Sequence, residues 1–283
     1  MATGSGPVVG RLAPTPSGTL HLGNVVAFGA AWLSARRAGG RLLLRIEDVD
    51  TGRARPEHEA KIRAELQWLG LTWDVEVPPQ RDRDYAPFLA RLAPHTYRCI
   101  CTRRDVRDAG GVYPGTCRDA EHTEGATRFR LPPGEIRVVD RRFGERRVDP
   151  ARFGDPVLVR RDGVTAYNLA VVADDITDGV NEVVRGADLL DFTAVQIALW
   201  RALDAAEPSW LHAPLVLDSD GGKLSKSRGA VSVSAVRAAG SSPQDVWRRV
   251  LPWLGCTGDT LAHAVAEFRP DRGPLGPIPL TSR

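Results

Sequence analysis

Lysine is almost missing from this chain. Of its 38 Lys and Arg residues, only Lys61, Lys223 and Lys226 are lysine. A compositional bias of the source genome accounts for most of that, but two of the three fall in one short run, Lys223-Leu-Ser-Lys-Ser227. A site that needs a compact, flexible ammonium would resist drift to the planar arginine fork. Long apolar runs are missing too. The nearest approach to a membrane span, Leu22 to Leu33, falls well short of about 18 residues and is rich in Gly and Ala. The opening residues, MATGSGPVVGRL, lack the positive charge and apolar run of a secretory signal. These absences predict a soluble, cytoplasmic protein. Cysteine is scarce, at four residues, yet Cys99, Cys101 and Cys117 cluster while Cys256 stands apart. Without a secretory signal, such a cluster reads as a metal site before a disulfide framework.

What is present is ordinary globular material: 283 residues, 42% hydrophobic and 26% charged, enough for one large domain or two smaller ones. The net charge of +3 does not by itself indicate a nucleic-acid partner. Val8 to Ala13 predicts a strand, followed by the turn-rich Pro14 to Gly18 and a helix over Leu22 to Arg37 that stops at Gly39-Gly40. A strand over Arg41–Ile46 and a helix over Glu57–Leu69 continue the alternation of a parallel sheet with crossovers. From Tyr97 to about Arg161 the pattern changes to cysteines, glycines and short β-like runs, Thr127–Leu131 and Ile136–Asp140. The βα alternation then resumes: a helix over Asn168–Asp178, a strand over Glu182–Arg185, a helix over Phe192–Leu203 and a strand over Leu211–Leu217. A helix over Pro243–Leu254 follows, and the tail RPDRGPLGPIPLTSR is too rich in Pro and Gly for regular structure. The division expected is residues 1–96 and 164–230 as the halves of a catalytic domain, 97–163 as an inserted small domain, and 231–283 as a short helical region and tail. No heptads or broad apolar helix faces demand a partner copy, so a monomer is expected.

Two segments carry phosphate chemistry. Arg11-Leu-Ala-Pro-Thr-Pro-Ser-Gly-Thr-Leu-His-Leu-Gly-Asn24 lies between the first strand and the first helix, where an open parallel sheet presents a ligand site. His21 can donate to a phosphate, and Gly23 lets a purine ring approach the backbone. Alone, H-x-G-N fits equally an N-cap histidine with a packing glycine. Lys223-Leu-Ser-Lys-Ser227 follows a strand and the turn Asp218–Gly222. Such a loop can close over a triphosphate and stabilise the departing charge, although alone it fits a solvated basic loop.

Together the two segments resemble the HIGH and KMSKS motifs of class I aminoacyl-tRNA synthetases. RLAPTPSGTLHLGN, LLRIEDVDTGR, AYNLAVVADDITDGVNEVVRGADLL and HAPLVLDSDGGKLSKS are similar to the glutamate-specific branch motif by motif, from about Val9 to Arg228. Asn24 and Leu224 depart from the consensus letters, as both do elsewhere in this branch. The resemblance implies an α/β fold: the class I synthetase Rossmann-like parallel sheet with an inserted small zinc-bearing domain and a short helical C-terminal region. It implies glutamate contacts from Arg11, Ala13, Thr15, Glu47, Tyr167 and Arg185. Of these, Arg11 would take the side-chain carboxylate, Arg185 the α-carboxylate and Glu47 the amino group. That division suits the chemistry, since arginine grips a carboxylate in bidentate fashion. ATP, with magnesium, would meet His21, Gly23, Asn24, Lys223, Ser225 and Lys226, with His21 and Lys226 acting on the transition state.

From chemistry alone, Cys99, Cys101 and Cys117 could bind zinc with Tyr113, His95 or His122 as fourth ligand, or could be buried thiols. By resemblance, C-x-C-x₁₁-Y-x₃-C matches the structural zinc site of the glutamyl-queuosine tRNA(Asp) synthetases, truncated paralogues of glutamyl-tRNA synthetase in which the tyrosine is a ligand. Only residues 228–283 follow the KLSKS run, where a full glutamyl-tRNA synthetase carries roughly one to two further domain lengths. The expected partner is therefore queuosine-bearing tRNA(Asp), glutamylated on the modified base. Charging of a tRNA 3′ end and a non-catalytic RNA-binding role are the alternatives, and the retained Arg11, His21, Glu47, Arg185 and Lys226 favour an active enzyme.

Overall fold

A computed structural model describes residues 6–50, 52, 54–218, 220–222, 224 and 232–280. Strand β1 (Val9–Leu12) runs into helix α1 (Leu22–Arg37) and returns as β2 (Arg41–Leu44), parallel to β1 in the register Val9 to Arg41 through Leu12 to Leu44. Helix α2 (Pro56–Trp68) leads to the short β3 (Val75–Glu76), parallel to β2. The small helix α3 (Ala86–Leu92) then delivers the chain to a separate antiparallel sheet. That sheet contains β4 (Thr96–Cys99) and β5 (Ala126–Phe129), with helix α4 (Arg103–Asp108) between them.

The stretch expected as an insert divides. Its later part forms the hairpin β6 (Ile136–Asp140) and β7 (Gly144–Val148), and β8 (Val157–Val159) comes back to pair with β5. Helix α5 (Tyr167–Thr177), strand β9 (Glu182–Gly186), helix α6 (Thr193–Ala202) and strand β10 (Ser209–Ala213) rebuild the parallel pattern. β10 lies between β9 and β6, touching β6 at Trp210 opposite Asp140, so the hairpin extends the β9–β10 sheet. The sheet halves meet where Asn181 brackets Val9: its N–H donates to Val9 O at 3.1 Å and its Oδ1 accepts Val9 N–H at 2.8 Å. β1 and β9 thus sit side by side while their onward connections diverge, which places a crevice at their carboxyl ends.

One apolar core fills the space between α1, β1, β2 and the C-terminal helices α8 (Pro243–Val250) and α9 (Leu261–Glu267), preceded by α7 (Val233–Ala238). Fully buried leucines such as Leu12, Leu33, Leu44 and Leu66 each contribute about 1.5–3 kcal/mol there. Gly29 lets α1 approach Trp247, since a Cβ would meet its ring at 2.9 Å. The second core lies on the other face, under α5 and α6.

Three elements differ from the sequence expectation. The strand over Leu211–Leu217 breaks at Pro214 into β10 and β11 (Val216–Leu217). The helix over Pro243–Leu254 ends at Val250, because Pro252 has no N–H for an α-helical bond, and a single tighter turn finishes it. The tail is not without regular structure: β12 (Ile278–Pro279) pairs with β11, Ile278 N–H donating to Leu215 O at 2.7 Å and Leu280 N–H to Leu217 O at 3.0 Å. Pro279 is tolerated because its missing N–H falls on the side turned away from the ladder.

Candidate active site and metal centre

Arg11, Ala13, Thr15, His21, Asn24, Glu47, Tyr167 and Arg185 line one cavity of about 230 Å³ in the crevice between β1 and β9. Each arrives for a local reason. β1 carries Arg11 outward at its carboxyl end, and Glu47 follows as the chain beyond β2 stays paired beside β1, Arg45 N–H to Leu12 O and Glu47 N–H to Pro14 O. Arg185 stands near the end of β9, and Tyr167 opens α5. His21 is the N-cap of α1, its Nδ1 accepting Asn24 N–H at 3.4 Å while Asn24 Oδ1 accepts His21 N–H at 3.0 Å. Gly23 leaves room for the imidazole, since a Cβ there would lie 3.0 Å from the ring. The capping arrangement therefore exists at the cavity wall, where the positive end of α1 also favours an anion. Lys223, Ser225 and Lys226 lie outside the described residues.

The electrostatics rest on residues the sequence reading does not single out. Arg11 donates from Nε to Asp175 Oδ1 at 3.1 Å and from Nη1 to Val184 O at 3.1 Å. Arg45, fully buried, donates to Asp175 at 2.7 Å and Asp178 at 2.9 Å, with Glu47 at 3.3 Å and Asp174 at 3.7 Å. Arg83 reaches Asp178 at 2.9 Å and Asp174 at 3.3 Å. Burial works against the charge on Arg45, and Asp175, Glu47 and Asp174 more than offset it. Burial likewise raises the Asp175 carboxyl, but Arg11 and Arg45 outweigh it and hold Asp175 below its usual range. Glu47 goes the other way: burial outweighs Arg45 and Arg11, and its pKa is raised. The available signal was charge inside apolar stretches, Arg45 within LLLRI and Asp174-Asp175 within LAVVADDI.

Arg185 differs from Arg11. Among the described residues no carboxylate lies within ion-pair distance of it, and burial depresses its pKa. It donates to His212 Nε2 at 3.1 Å, Thr193 Oγ1 at 2.7 Å, Leu189 O at 3.4 Å and Gln196 Oε1, all uncharged acceptors. A buried guanidinium arranged in this way is set up to receive a carboxylate from outside the protein.

In the insert, the Cys99, Cys101 and Cys117 sulfurs lie within 4.8 Å of one another, Cys101 and Cys117 at 3.6 Å. Thiolates around one tetrahedral zinc are separated by about 3.8 Å, given metal–sulfur bonds of ~2.3 Å, so the cluster fits such an ion. The Tyr113 hydroxyl accepts Cys117 N–H at 2.8 Å and bonds the Cys99 thiol, while Arg128 lies over its ring at 3.7 Å. Burial and the adjoining thiols push Cys101 up to about 12, a cost that a bound cation reverses. His95 packs edge-on against Phe129, and neither it nor His122 joins the cluster. Arg118, beside Cys117, is taken up by Asp155 at 2.5 and 2.6 Å. Among the described residues no helix is long and apolar enough to cross a membrane.

Comparison with known proteins places the chain in a family. Residues 7–110 and 116–266 match the model of the class I tRNA synthetases (E and Q), catalytic domain. The chain is 45% identical over 270 residues to the glutamyl-Q tRNA(Asp) synthetase of Symbiobacterium thermophilum, covering 84% of this chain and 83% of that one. It is 42% identical over 283 residues to the glutamyl-Q tRNA(Asp) synthetase of Pseudomonas paraeruginosa, covering 94% and 95%. Among solved structures, the glutamate-tRNA synthetase of Elizabethkingia anophelis superposes with a TM-score of 0.85 at 25% identity, over 98% of this chain and 68% of that one.

Proposed function

The chain belongs to the class I tRNA synthetase family of glutamate and glutamine enzymes, and on that premise we propose that it activates L-glutamate with ATP and transfers it to queuosine in tRNA(Asp). The observation that carries the glutamate reading is the single cavity holding Arg11, Glu47 and Arg185. Arg185, bonded only to uncharged acceptors, takes the α-carboxylate; Glu47 takes the ammonium; Arg11 takes the side-chain carboxylate with the part of its fork not used by Asp175, and Tyr167 forms the wall. Ala13 and Thr15 shape the floor. Glutamine would not leave Arg11 unpaired, because Asp175 already pairs with it. Discrimination rests instead on the weaker hydrogen bonds an amide makes to the fork.

ATP would lie against the start of α1, at His21, Gly23 and Asn24, and magnesium bound with it would supply Lewis-acid stabilisation of phosphate charge. Lys223, Ser225 and Lys226, which lie outside the described residues, would supply positive charge to the triphosphate as pyrophosphate departs. The α-carboxylate attacks the α-phosphorus and pyrophosphate leaves. A hydroxyl of queuosine's cyclopentenediol then attacks the acyl carbon, and AMP departs. Because every group assigned to activation lies in the catalytic sheet and its loops, glutamate-dependent exchange of pyrophosphate into ATP should proceed with no RNA present. Exchange seen only after tRNA is added would favour charging of a tRNA 3′ end, and no exchange at all would favour a binding protein.

The metal is zinc, held by Cys99, Cys101, Tyr113 and Cys117 in a structural role, since four protein ligands leave no open position for chemistry. Protein purified without added metal should contain one zinc per chain by elemental analysis. A Tyr113→Phe variant should lose zinc to a chelator faster than the native chain, and undiminished retention would point to another fourth ligand.

A further inference from the structure

Arg185 is held in place without being neutralised, and the acceptor at its Nε leads deeper into the protein. His212 on β10 is fully buried; its Nε2 lies 3.1 Å from Arg185 Nε and its Nδ1 2.7 Å from Asp140 Oδ2. A guanidinium N–H can only donate, so Nε2 must be the unprotonated nitrogen and Nδ1 must carry the proton given to Asp140. Burial pushes the His212 pKa down, consistent with a neutral ring. Asp140 is itself fixed: its Oδ1 accepts Arg142 and Phe143 N–H at 2.9 Å in the turn joining β6 to β7.

We propose that His212 is a positioning residue for glutamate, its tautomer set by Asp140 so that Arg185 is oriented yet keeps its full charge for the α-carboxylate. A carboxylate at position 212 would hold the fork equally well but compete with the substrate for it. A neutral ring avoids that, and the Asp140 charge stays one imidazole further away. Protonated His212, or the opposite tautomer, would set N–H against N–H. The β6–β7 hairpin, from the stretch read as an insert, thereby reaches the amino-acid site. The inference rests on the reading of Arg185 as the α-carboxylate partner.

The test measures glutamate KM and ATP KM in pyrophosphate exchange, with thermal unfolding as a check on folding. His212→Leu should raise glutamate KM by about ten- to a hundredfold, the usual effect of losing a hydrogen bond to a buried charge, and leave ATP KM unchanged. His212→Gln restores a neutral acceptor and should recover most of the loss. Asp140→Asn keeps Oδ1 for the turn but presents an amide N–H₂ to Nδ1, forcing the proton to Nε2. It should raise glutamate KM in the native background and add little on top of His212→Gln, which has no tautomer to set. Additive losses in that double variant, or a His212→Leu enzyme with native glutamate KM, would overturn the proposal. Arg185→Ala separates the two levels. If it raises glutamate KM and His212→Leu does not, only the positioning role fails; if Arg185→Ala is itself silent, the reading of the site fails and the proposal with it.

Discussion

A Glu47→Gln enzyme is expected to melt at a higher temperature than the native chain at neutral pH, and to activate glutamate far more poorly. The two effects share one cause. Around the cavity three guanidiniums, Arg11, Arg45 and Arg83, face four carboxylates, Glu47, Asp174, Asp175 and Asp178. Asp175 bridges Arg11 and Arg45, and Asp178 bridges Arg45 and Arg83, so those charges are matched. Among the described residues Glu47 has one ion pair, 3.3 Å from Arg45, a guanidinium it shares with three aspartates, and it borders the cavity. Its raised pKa expresses the resulting cost. For an acid whose folded pKa lies above its unfolded one, the folded state binds the extra proton, so stability is greatest at low pH and is lost as pH rises through the folded pKa. Glutamine resembles the protonated form at every pH. The stability gap between variant and native chain should therefore open as pH rises from acid to neutral, and calorimetry at several pH values reads it directly. Catalysis moves the opposite way. An ammonium needs an anion, and losing one partner of a buried charge pair costs about 2–5 kcal/mol, roughly thirty- to several thousandfold in glutamate kcat/KM. For the native enzyme the same argument predicts weaker glutamate binding as pH falls through the raised pKa of Glu47. A variant less stable at neutral pH, or one with native glutamate kinetics, would show that Glu47 is an ordinary network carboxylate.

What could be read from the sequence at this site, and what could not, follows from distance along the chain. His21, Gly23 and Asn24 form a local unit, a cap and its glycine, and Cys99, Cys101, Tyr113 and Cys117 lie within one small sheet and its loop. Short-range spacing fixes such groups, so a sequence displays them. The helix Leu22–Arg37 and the strand Ile136–Asp140 were legible for the same reason, because periodicity and flanking glycines are local signals. The Asp175–Arg45 pair joins residues 130 apart, and His212 meets Asp140 across 72. Nothing near Arg45 announces that α5 will pass over it, and nothing in Ile136–Asp140 announces that β10 will lie alongside. Arg118 carries the same lesson in reverse. Nothing in its local sequence distinguishes it from an exposed arginine such as Arg103 or Arg107, but the fold gives it the buried Asp155, 37 residues away, as a partner.

The second large effect concerns the RNA: glutamate should be transferred to tRNA(Asp) only when it carries queuosine, and removal of the 3′-terminal adenosine should leave transfer intact. The catalytic body matches the glutamate-tRNA synthetase of Elizabethkingia anophelis over 68% of that longer chain, whereas it matches a glutamyl-Q tRNA(Asp) synthetase over 95% of its length. Sequence identity, 42% against 25%, favours the glutamyl-Q tRNA(Asp) synthetases as the better guide of the two. The chemistry also transfers, because queuosine offers a cis-diol as a terminal ribose does, and the same adenylate can be attacked by either. An anticodon arm entering the cleft would present an unstacked base, whose edges can be read in a single-stranded loop but not in an A-form stem. Phosphate contacts would come from the exposed arginines of α4, Arg103, Arg104 and Arg107, beside the metal cluster. Arg118 is held by the buried Asp155, whereas Arg104 has only an exposed pair with Asp108 at 3.5 Å that a phosphate can displace. With the three α4 arginines as contacts, the logarithm of affinity should fall with the logarithm of salt at a slope of about −2, near −0.7 for each single-strand phosphate neutralised. Triple replacement of those arginines by alanine should flatten that slope without changing pyrophosphate exchange. Periodate treatment of the tRNA, which oxidises cis-diols, should abolish acceptance, and radiolabelled glutamate should map to the anticodon loop after nuclease digestion. Transfer that survives loss of queuosine, or that disappears when only the 3′ end is trimmed, would move the acceptor from the modified base to the terminal ribose.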